Sequence, residues 1–252
     1  MADHKQLAVT FDGSFDGFLS VVHACYYKKL SPTSILPESE AQLSLGGEPV
    51  FIETDPAHAA KVFSAVREKI SLEAAEFVYH AFLHADFDRF MAMLSYIKLG
   101  FKEGHMVNSH LQHECVRRVH KLAGHVRRES HLLCGFCRFE ETKQGVFYCK
   151  ITPKNDVLPM LAVHFIQRFS GMAWVLHDKV RGQAAISDGE KYIITSTPKD
   201  AVVEYAENEE ATQELWVAFF KAHTIEARKN LKLQRQMMPI YFRRNMTEFI
   251  KN

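Results

Sequence analysis

A chain of 252 residues is long enough to bury a sizeable core, either as one large domain or as two small ones. Hydrophobic residues make up 47% of the chain and charged residues 24%, which is ordinary for a folded protein in water and excludes global disorder. The formal net charge of +1 excludes no partner, because large patches of opposite sign can cancel.

Charged residues are unevenly distributed along the chain. Residues 38–88 contain ten acidic and three basic residues, and residues 186–214 contain eight acidic and two basic residues. Residues 115–138 contain six Lys or Arg and one acidic residue, and residues 221–252 contain eight Lys or Arg and two acidic residues. The basic charge is therefore concentrated in two segments.

Cysteine usage and hydropathy indicate where the protein works. The five cysteines are an odd number and indicate no disulfide framework, which favours a reducing compartment. The N-terminus has no basic region followed by a long apolar run, and no apolar stretch approaches the ~20 residues of a membrane span. We therefore expect a cytoplasmic protein without membrane contact.

Turn and cap signals divide the first 70 residues into alternating strands and helices. Ser14 ends a turn that can cap a helix, and Pro56 suits the first turn of a second helix after Thr54 or Asp55. The predicted elements are a strand at 7–11, a helix at 15–29, a connecting loop at 30–49, a strand at 49–54 and a helix from 56 to 70.

Apolar residues then recur with a helical period from residue 71 to about 134, and we expect breaks at Gly100, Gly104 and Gly124. Strand alternation follows. The predicted elements are a hairpin of GFCRFEE and VFYCKIT around a KQG turn, a helix capped by Asn155 or Asp156, strands MAWVLHD, QAAISD and KYIITS, and a helix at about 208–236 that ends before Pro239.

The sequence thus predicts an α+β protein. We expect helical N-terminal and middle regions, a mainly antiparallel sheet at about 135–196, and a C-terminal helix that covers this sheet through Leu215, Phe219 and Phe220. We expect a single domain, residues 1–252, and leave open a division into a mainly helical lobe, 1–134, and a second lobe, 135–252.

The stretch HKLAGHVRRESHLLCGFCRFEE, residues 120–141, follows the start of a cationic helix. Apolar residues form one face of this helix, and the other side carries the basic row Arg118, Lys121, His125 and Arg128, flanked by Arg117 and Arg127. Like charges at these spacings repel by roughly a few tenths of a kcal/mol per pair. The row is either a solvated face balanced by the chain's own acidic segments, a contact for nucleic-acid phosphates, or a contact for a membrane surface.

Cys134 and Cys137 end this helix and enter a strand, which is the reverse of the order in a redox Cys-x-x-Cys motif. No second pair of metal ligands lies at a supporting spacing. We therefore interpret both as packed cysteines, with redox or metal chemistry as the weaker alternative, and expect no metal or other cofactor.

Glu129 lies on the apolar face of the same helix, where a carboxylate must be paired or protonated. A salt bridge to an arginine is one interpretation. A functional carboxylate in a site with His131 is the other.

Several motifs resemble a bacterial family assigned to DNA metabolism and repair without an established activity. They are the run from Val126 to Phe139, ITPKNDVLPMLAVHFIQRF, WVLHDKVRG, LWVAFFKAHTIEARKNLKLQRQMMPIYFRRNMTEF and the N-terminal FDGSFDGFL. Members of that family accompany a radical-SAM protein of DNA repair or modification, and similar domains occur fused to uracil-DNA-glycosylase-like proteins. The resemblance implies DNA and a radical-SAM protein as partners. By position it singles out Glu129, His131, Arg138, His164, Arg168, Asp178, Arg181, Arg228 and Asn230.

Two groups of residues are candidates for function. Glu129, His131, His164, Asp178 and Arg181 could supply an acid, a base and a phosphate clamp, although a core histidine at 164 and a structural Asp178–Arg181 pair are the alternatives. The candidate nucleic-acid-binding residues are Arg117, Arg118, Lys121, His125, Arg127, Arg128, Arg138, Arg168, Arg228, Lys232, Arg235, Arg243 and Arg244.

We therefore expect a DNA-binding protein of DNA repair or modification that acts with a radical-SAM partner. A DNA repair enzyme in its own right, glycosylase-like or phosphodiester-cleaving, is the first alternative. An adaptor that binds only proteins is the second.

Overall fold

The computed structural model describes residues 7–43 and 49–250, and the chain divides into two compact units, residues 1–127 and 128–252. Each unit combines helices with a sheet, so the predicted α+β class is confirmed. Within the described ranges, no helix is long and apolar enough to cross a membrane.

The first unit contains a three-stranded parallel sheet. Its central strand β1 (Ala8–Phe11) lies between β2 (Ser34–Pro37) and β3 (Val50–Phe51). The loop predicted at 30–49 is wrong in part, because β2 forms inside it. All four residues of β2 pair with β1 and three of them are buried, so sheet pairing outweighs the loop signal of the nearby prolines. Residues 44–48 of that loop lie outside the described residues.

Helices α1 (Phe15–Tyr27) and α2 (Pro56–Lys69) begin where the sequence predicts. Ser14 caps α1, and Asp55 rather than Thr54 caps α2. Each cap side chain accepts hydrogen bonds from backbone N–H groups of the first turn, which would otherwise have no partner in the helix.

The middle of the chain is helical, as predicted. It forms α3 (Leu72–Phe82), α4 (Arg89–Glu103), a 3-10 helix (Gly104–Ser109) and α5 (Glu114–Phe136). The break expected at Gly104 is confirmed, and this residue has φ +61°. The breaks expected at Gly100 and Gly124 are wrong, because one glycine inside a helix costs only about 1 kcal/mol and does not interrupt the hydrogen bonds.

The second unit contains a five-stranded sheet of order β4-β5-β6-β7-β8. The strands are β4 (Glu140–Glu141), β5 (Phe147–Ile151), β6 (Trp174–Asp178), β7 (Gln183–Ser187) and β8 (Tyr192–Ser196). Three of the four neighbouring pairs are antiparallel and β5–β6 is parallel, so the prediction of a mainly antiparallel sheet is confirmed. The first strand of the predicted hairpin is short, because α5 continues through Phe136.

The parallel pair requires a crossover, which α6 (Leu158–Arg168) provides. This helix contacts β6, β7 and β8, and it buries Leu161 and Phe165. The cap predicted at Asn155 or Asp156 is wrong. Val157 holds the N-cap position of α6, and the Asn155 side chain donates a hydrogen bond to Glu129.

Five further elements follow β8 in the described part of the chain. They are α7 (Glu209–Ala222), a 3-10 helix (Glu226–Arg228), α8 (Leu231–Met237), α9 (Ile240–Arg243) and α10 (Thr247–Ile250). The single helix predicted at 208–236 is therefore interrupted after α7. The predicted packing of Leu215 and Phe219 on the core is wrong, since they are 73% and 53% exposed, and α7 buries Val217 and Glu209 instead.

Candidate nucleic-acid interface

Glu129 is buried on α5 and binds the loop that joins β5 to α6. Its Oε1 accepts a hydrogen bond from the backbone N of Lys154 at 2.8 Å, and its Oε2 accepts one from the backbone N of Asn155 at 2.9 Å. The Asn155 side-chain Nδ2 donates a further bond at 2.6 Å. The predicted salt bridge from Glu129 to an arginine is wrong. Backbone and side-chain amides bind this carboxylate, and no ion pair among the described residues includes it.

Tyr241 adds a fourth contact to the same carboxylate. Its hydroxyl donates to Glu129 Oε1 at 3.4 Å, and the Lys154 Nζ lies 4.8 Å from the centre of its ring. Burial first, and then the nearby Glu129 charge, raise the pKa of Tyr241 above its ordinary value of 10.0. The phenol therefore stays a neutral donor at physiological pH.

Asp178 and Arg181 hold the same loop from the end of β6. Arg181 Nη1 donates to Asp178 Oδ2 at 2.9 Å, and Arg181 Nη2 donates to the Lys154 carbonyl oxygen at 2.7 Å. Asp178 is fully buried and also accepts a bond from the backbone N of Val180 at 2.8 Å. Three of the five candidate catalytic residues thus meet at one loop, through bonds that order its backbone.

The two candidate catalytic histidines have different surroundings. His131 is exposed on α5, and His164 is half-buried on α6 with its ring 5.0 Å from that of Phe165 in an edge-to-face contact. The structure therefore gives neither histidine a bond to Glu129 or Asp178 among the described residues. Their catalytic role stays a prediction.

The basic row on α5 is largely engaged within the chain. Arg118 Nη2 lies 2.6 Å from Asp86 Oδ2, and Arg117 donates to the carbonyl oxygens of Leu111 and Gln112 at 2.8 and 2.9 Å. Burial of Asp86 raises its pKa, but hydrogen bonds led by that of Arg118 more than offset this and lower the pKa below its ordinary 3.8.

Other members of the row have different contacts. His125 Nδ1 lies 3.3 Å from His84 Nε2, and the Arg127 guanidinium lies 4.8 Å from the centre of the Phe77 ring. Lys121 and Arg128 are exposed, and in the described part of the chain they form no ion pair. Among the described residues, Arg118 is the one side chain of the row with a carboxylate partner, so phosphate contact by the row stays a prediction.

Arg138 and Arg168 both line a cavity of about 590 Å³ in the second unit, which we call the aromatic pocket. Its rings are Phe139, Phe147, Phe165, Phe169 and Trp216. Arg138 is held by Glu248 at 2.6 Å and lies 5.1 Å from the Trp216 ring centre. Arg168 is exposed at the end of α6.

The cysteines of the Cys-x-x-Cys pair line this pocket as free thiols. A hydrogen bond with Cys149, followed by burial, raises the pKa of Cys137 well above its ordinary 9.0. Burial likewise raises the pKa of Cys134. Both are therefore poor nucleophiles at neutral pH. Among the described residues, no group of three or more His, Cys, Asp or Glu side chains could hold a metal ion.

The last turn of α7 and the residues that follow it line a second cavity of about 810 Å³, which we call the C-terminal groove. Its Lys and Arg lining is Lys221, Arg228, Lys229 and Arg243, with His223 beside them, and its apolar lining is Phe220, Ile225, Leu231, Leu233, Met237 and Phe249. None of the described lining residues is acidic. Two candidate residues, Arg228 and Arg243, are thus brought together, whereas Lys232, Arg235 and Arg244 do not line the groove.

Arg243 is the anchored cation of the groove. Its Nη2 donates to the Met238 carbonyl oxygen at 3.3 Å and to Gln234 Oε1 at 3.4 Å, and its guanidinium lies 4.8 Å from the Phe249 ring centre. Its Nε is buried without a hydrogen-bond partner in the described part of the chain. These contacts hold the guanidinium of Arg243 in place at the groove.

Sequence reasoning did not select three groove residues, Lys221, His223 and Lys229, because a segment of mixed charge gives no sign of which side chains will border a concavity. It also missed a buried pair. The Tyr148 hydroxyl lies 2.8 Å from His177 Nδ1, and burial raises the pKa of Tyr148 to about 12 and lowers that of His177. The burial of His177 could have been inferred from the predicted strand that contains it. Side chains alternate between the two faces of a sheet, so His177 must lie on one of them.

The fold and the groove define an α+β protein of two units with a cationic cavity formed by its last helices. Residues 87–248 match a family model described as a domain of unknown function, DUF4130. The match covers more than half of the chain, and the protein belongs to this family. No curated protein matches the chain.

Proposed function

We propose that the protein binds DNA through the C-terminal groove and acts in DNA repair or modification. The observation that carries the proposal is the lining of the groove, which holds Lys221, Arg228, Lys229 and Arg243 and no acidic side chain among its described residues. The assignment to DNA comes from the family resemblance in the sequence.

The chemistry of the groove suits a polyanion with apolar parts. Four Lys or Arg side chains around one cavity repel each other, and an anion that enters removes this repulsion and releases its own counterions. The apolar lining, which includes Phe220 and Phe249, favours a ligand that also has flat apolar surface, as nucleobases have. A simple phosphate ion would leave that surface without a contact.

A salt titration tests the proposal. We expect the affinity for a fluorescent oligonucleotide to fall steeply with salt, and Lys221→Ala with Arg228→Ala to flatten the log–log slope by about 1.4 to 1.8, since each phosphate contact contributes about 0.7 to 0.9. The control removes two exposed lysines outside the groove, Lys191→Ala with Lys199→Ala, and should leave the slope unchanged. Equal slopes for the two double variants would contradict the proposal.

We also propose the partner that the family resemblance implies, a radical-SAM protein, with this chain holding the DNA substrate. A cytoplasmic location is part of the proposal and is supported by five free cysteines. Size-exclusion chromatography of the purified pair should give co-elution that nuclease treatment does not abolish. Separate elution with and without DNA would rule out the partnership.

A further inference from the structure

Helix α7 carries a row of three exposed rings on one face, which we call the ring stripe: Trp216, Phe219 and His223. The Trp216 and Phe219 ring centres lie 5.8 Å apart with 24° between the ring planes, and those of Phe219 and His223 lie 3.9 Å apart with 33° between the planes. Trp216 is 38% exposed and Phe219 53% exposed.

A contact to α10 and a contact along α7 hold the outer two rings in position. The Trp216 Nε1 donates to Glu248 Oε2 at 3.0 Å, and His223 Nδ1 lies 2.9 Å from the Phe219 carbonyl oxygen. A ring that is fixed before a ligand arrives loses little conformational entropy when the ligand binds. The stripe is therefore a pre-formed surface and not three independent side chains.

The exposed carboxylates of α7, Glu210 and Glu214, are separated from the stripe, whereas Glu209, about 20° around the helix from Trp216, is buried. At about 100° per residue, Glu210 and Glu214 lie about 140 to 180° around the helix from Phe219. The stripe itself carries no acidic residue. A polyanion that approaches the rings therefore does not meet these carboxylates.

The stripe also extends from the aromatic pocket to the C-terminal groove. Trp216 lines the aromatic pocket, and His223 lines the C-terminal groove beside Lys221 and Arg228. A ligand that lies in the groove and extends along α7 would therefore pass from cationic side chains to exposed rings. A nucleic-acid strand has this same pairing of groups, with a charged backbone on one side and flat bases on the other.

We propose that the ring stripe stacks unpaired bases, so that the ligand of the C-terminal groove is single-stranded DNA. This inference rests on the proposed function and adds strandedness to it. Cations bind the backbones of single strands and duplexes alike, whereas rings reach only bases that are not already stacked in a duplex. Stacking on the stripe therefore makes the protein bind single strands more tightly than duplexes. The Lys and Arg side chains of the groove give the affinity its dependence on salt.

The experiment compares two replacements at one exposed position. Phe219→Leu keeps apolar bulk but removes the ring, and we expect it to weaken binding of a short oligothymidylate by about 5- to 150-fold, the range for loss of one stacked base. Phe219→Trp keeps a ring and should bind as the wild type does. Leu215→Ala, at a 73% exposed aliphatic residue on the same helix, is the matched control and should have no effect.

Fluorescence gives an independent readout of stacking. The chain has two tryptophans, of which Trp174 is fully buried and Trp216 is exposed, so quenching by a single strand reports on the stripe. We expect oligothymidylate to quench the emission of the wild type and of a Trp174→Phe variant. A duplex of the same length should quench much less.

Failure of the inference differs from failure of the proposed function. Salt-dependent binding of equal strength to single strand and duplex, unaffected by Phe219→Leu, would overturn stacking and leave the groove as the DNA site. No binding of any oligonucleotide by the wild type would overturn both. Tighter binding of oligouridylate than of oligothymidylate would overturn the assignment to DNA, and tight capture of a purified protein partner with no nucleic-acid binding would make the stripe a protein contact. Urea midpoints equal to the wild-type value show that each variant is folded.

Discussion

Arg138 and Glu248 are separated by 110 residues in the sequence, and in the structure Arg138 Nη2 lies 2.6 Å from Glu248 Oε1. The Arg138 side chain is 20% exposed and that of Glu248 only 2%. Trp216 Nε1 donates to the second oxygen of the same carboxylate at 3.0 Å. This carboxylate thus ties the end of α5, the middle of α7 and α10 together next to the aromatic pocket.

Loss of this ion pair should destabilise the protein strongly. Glu248→Gln leaves a guanidinium largely buried without its counter-charge, which costs about 3 to 5 kcal/mol when such a pair is broken on one side. The free energy of unfolding from urea denaturation measures this loss. The control is Glu204→Gln, which breaks the exposed Lys143–Glu204 pair and should cost less than about 1 kcal/mol. Equal losses of stability in Glu248→Gln and Glu204→Gln would contradict a stabilising role for the buried Arg138–Glu248 pair.

The same pair predicts an acid dependence of stability. Burial raises the pKa of Glu248, but hydrogen bonds from Arg138 and Trp216 more than offset this, and the pKa lies below its ordinary 4.5. Because the folded pKa is lowered, the contribution of the carboxylate is complete above pH 4.5 and is lost as the pH falls through the folded pKa. The stability difference between wild type and Glu248→Gln should therefore be constant near neutrality and shrink only in acid. A difference that shrinks between pH about 8 and about 6 would contradict this.

Much of the fold was predictable because its signals are local. Ser14 and Asp55 cap helices where the sequence predicts, and the strands of the second unit follow the alternation of apolar residues. Strand β2 was missed because its pairing with β1 is not local, and a short run between prolines gives a loop signal.

The candidate site was less predictable, since its partners lie far apart in the sequence. Glu129 was recognised as anomalous on an apolar face, but its amide partners are 25 and 26 residues away and depend on the path of a loop. The exposure of Phe219 was mispredicted for a related reason. An amphipathic pattern shows which residues share a face of α7, and not whether another element covers that face.

Glu129 should matter for stability and His131 should not. Glu129→Gln replaces an acceptor oxygen with an NH₂ group that faces backbone N–H groups, so we expect a loss of about 2 to 4 kcal/mol from one or two unsatisfied buried donors. His131→Ala, two residues along the same helix and exposed, should change stability by less than about 0.5 kcal/mol. Thermal and urea unfolding of both variants measure this. A stable Glu129→Gln protein that loses an activity on DNA would instead favour the enzyme alternative.

Buried and half-buried histidines should make the protein sensitive to mild acid. Burial lowers the pKa of His80, His120 and His177 below the ordinary 6.5. The folded state therefore disfavours their protonated forms, and the stability they contribute is present above pH 6.5 and falls as the pH drops below it. Urea midpoints should decline between pH about 7.5 and about 5.5. His80→Leu should make this decline shallower, because the Nδ1 of His80 is buried without a partner among the described residues. An unchanged decline in that variant would assign the effect to other groups.

Arg181 was predicted as a phosphate clamp, and its contacts define a sharper test. Its two terminal nitrogens bind Asp178 and the Lys154 carbonyl oxygen at once, at 2.9 and 2.7 Å. A lysine ammonium is a single point donor on a flexible stem and cannot span both acceptors with the planar geometry of a guanidinium. Arg181→Lys should therefore lower the free energy of unfolding by about 2 to 3 kcal/mol, because Asp178 is fully buried and keeps only part of its hydrogen bonding. Arg244→Lys, at an exposed arginine, should have no measurable effect. Loss of DNA affinity in a fully stable Arg181→Lys protein would mean that this side chain contacts phosphate instead of ordering the loop.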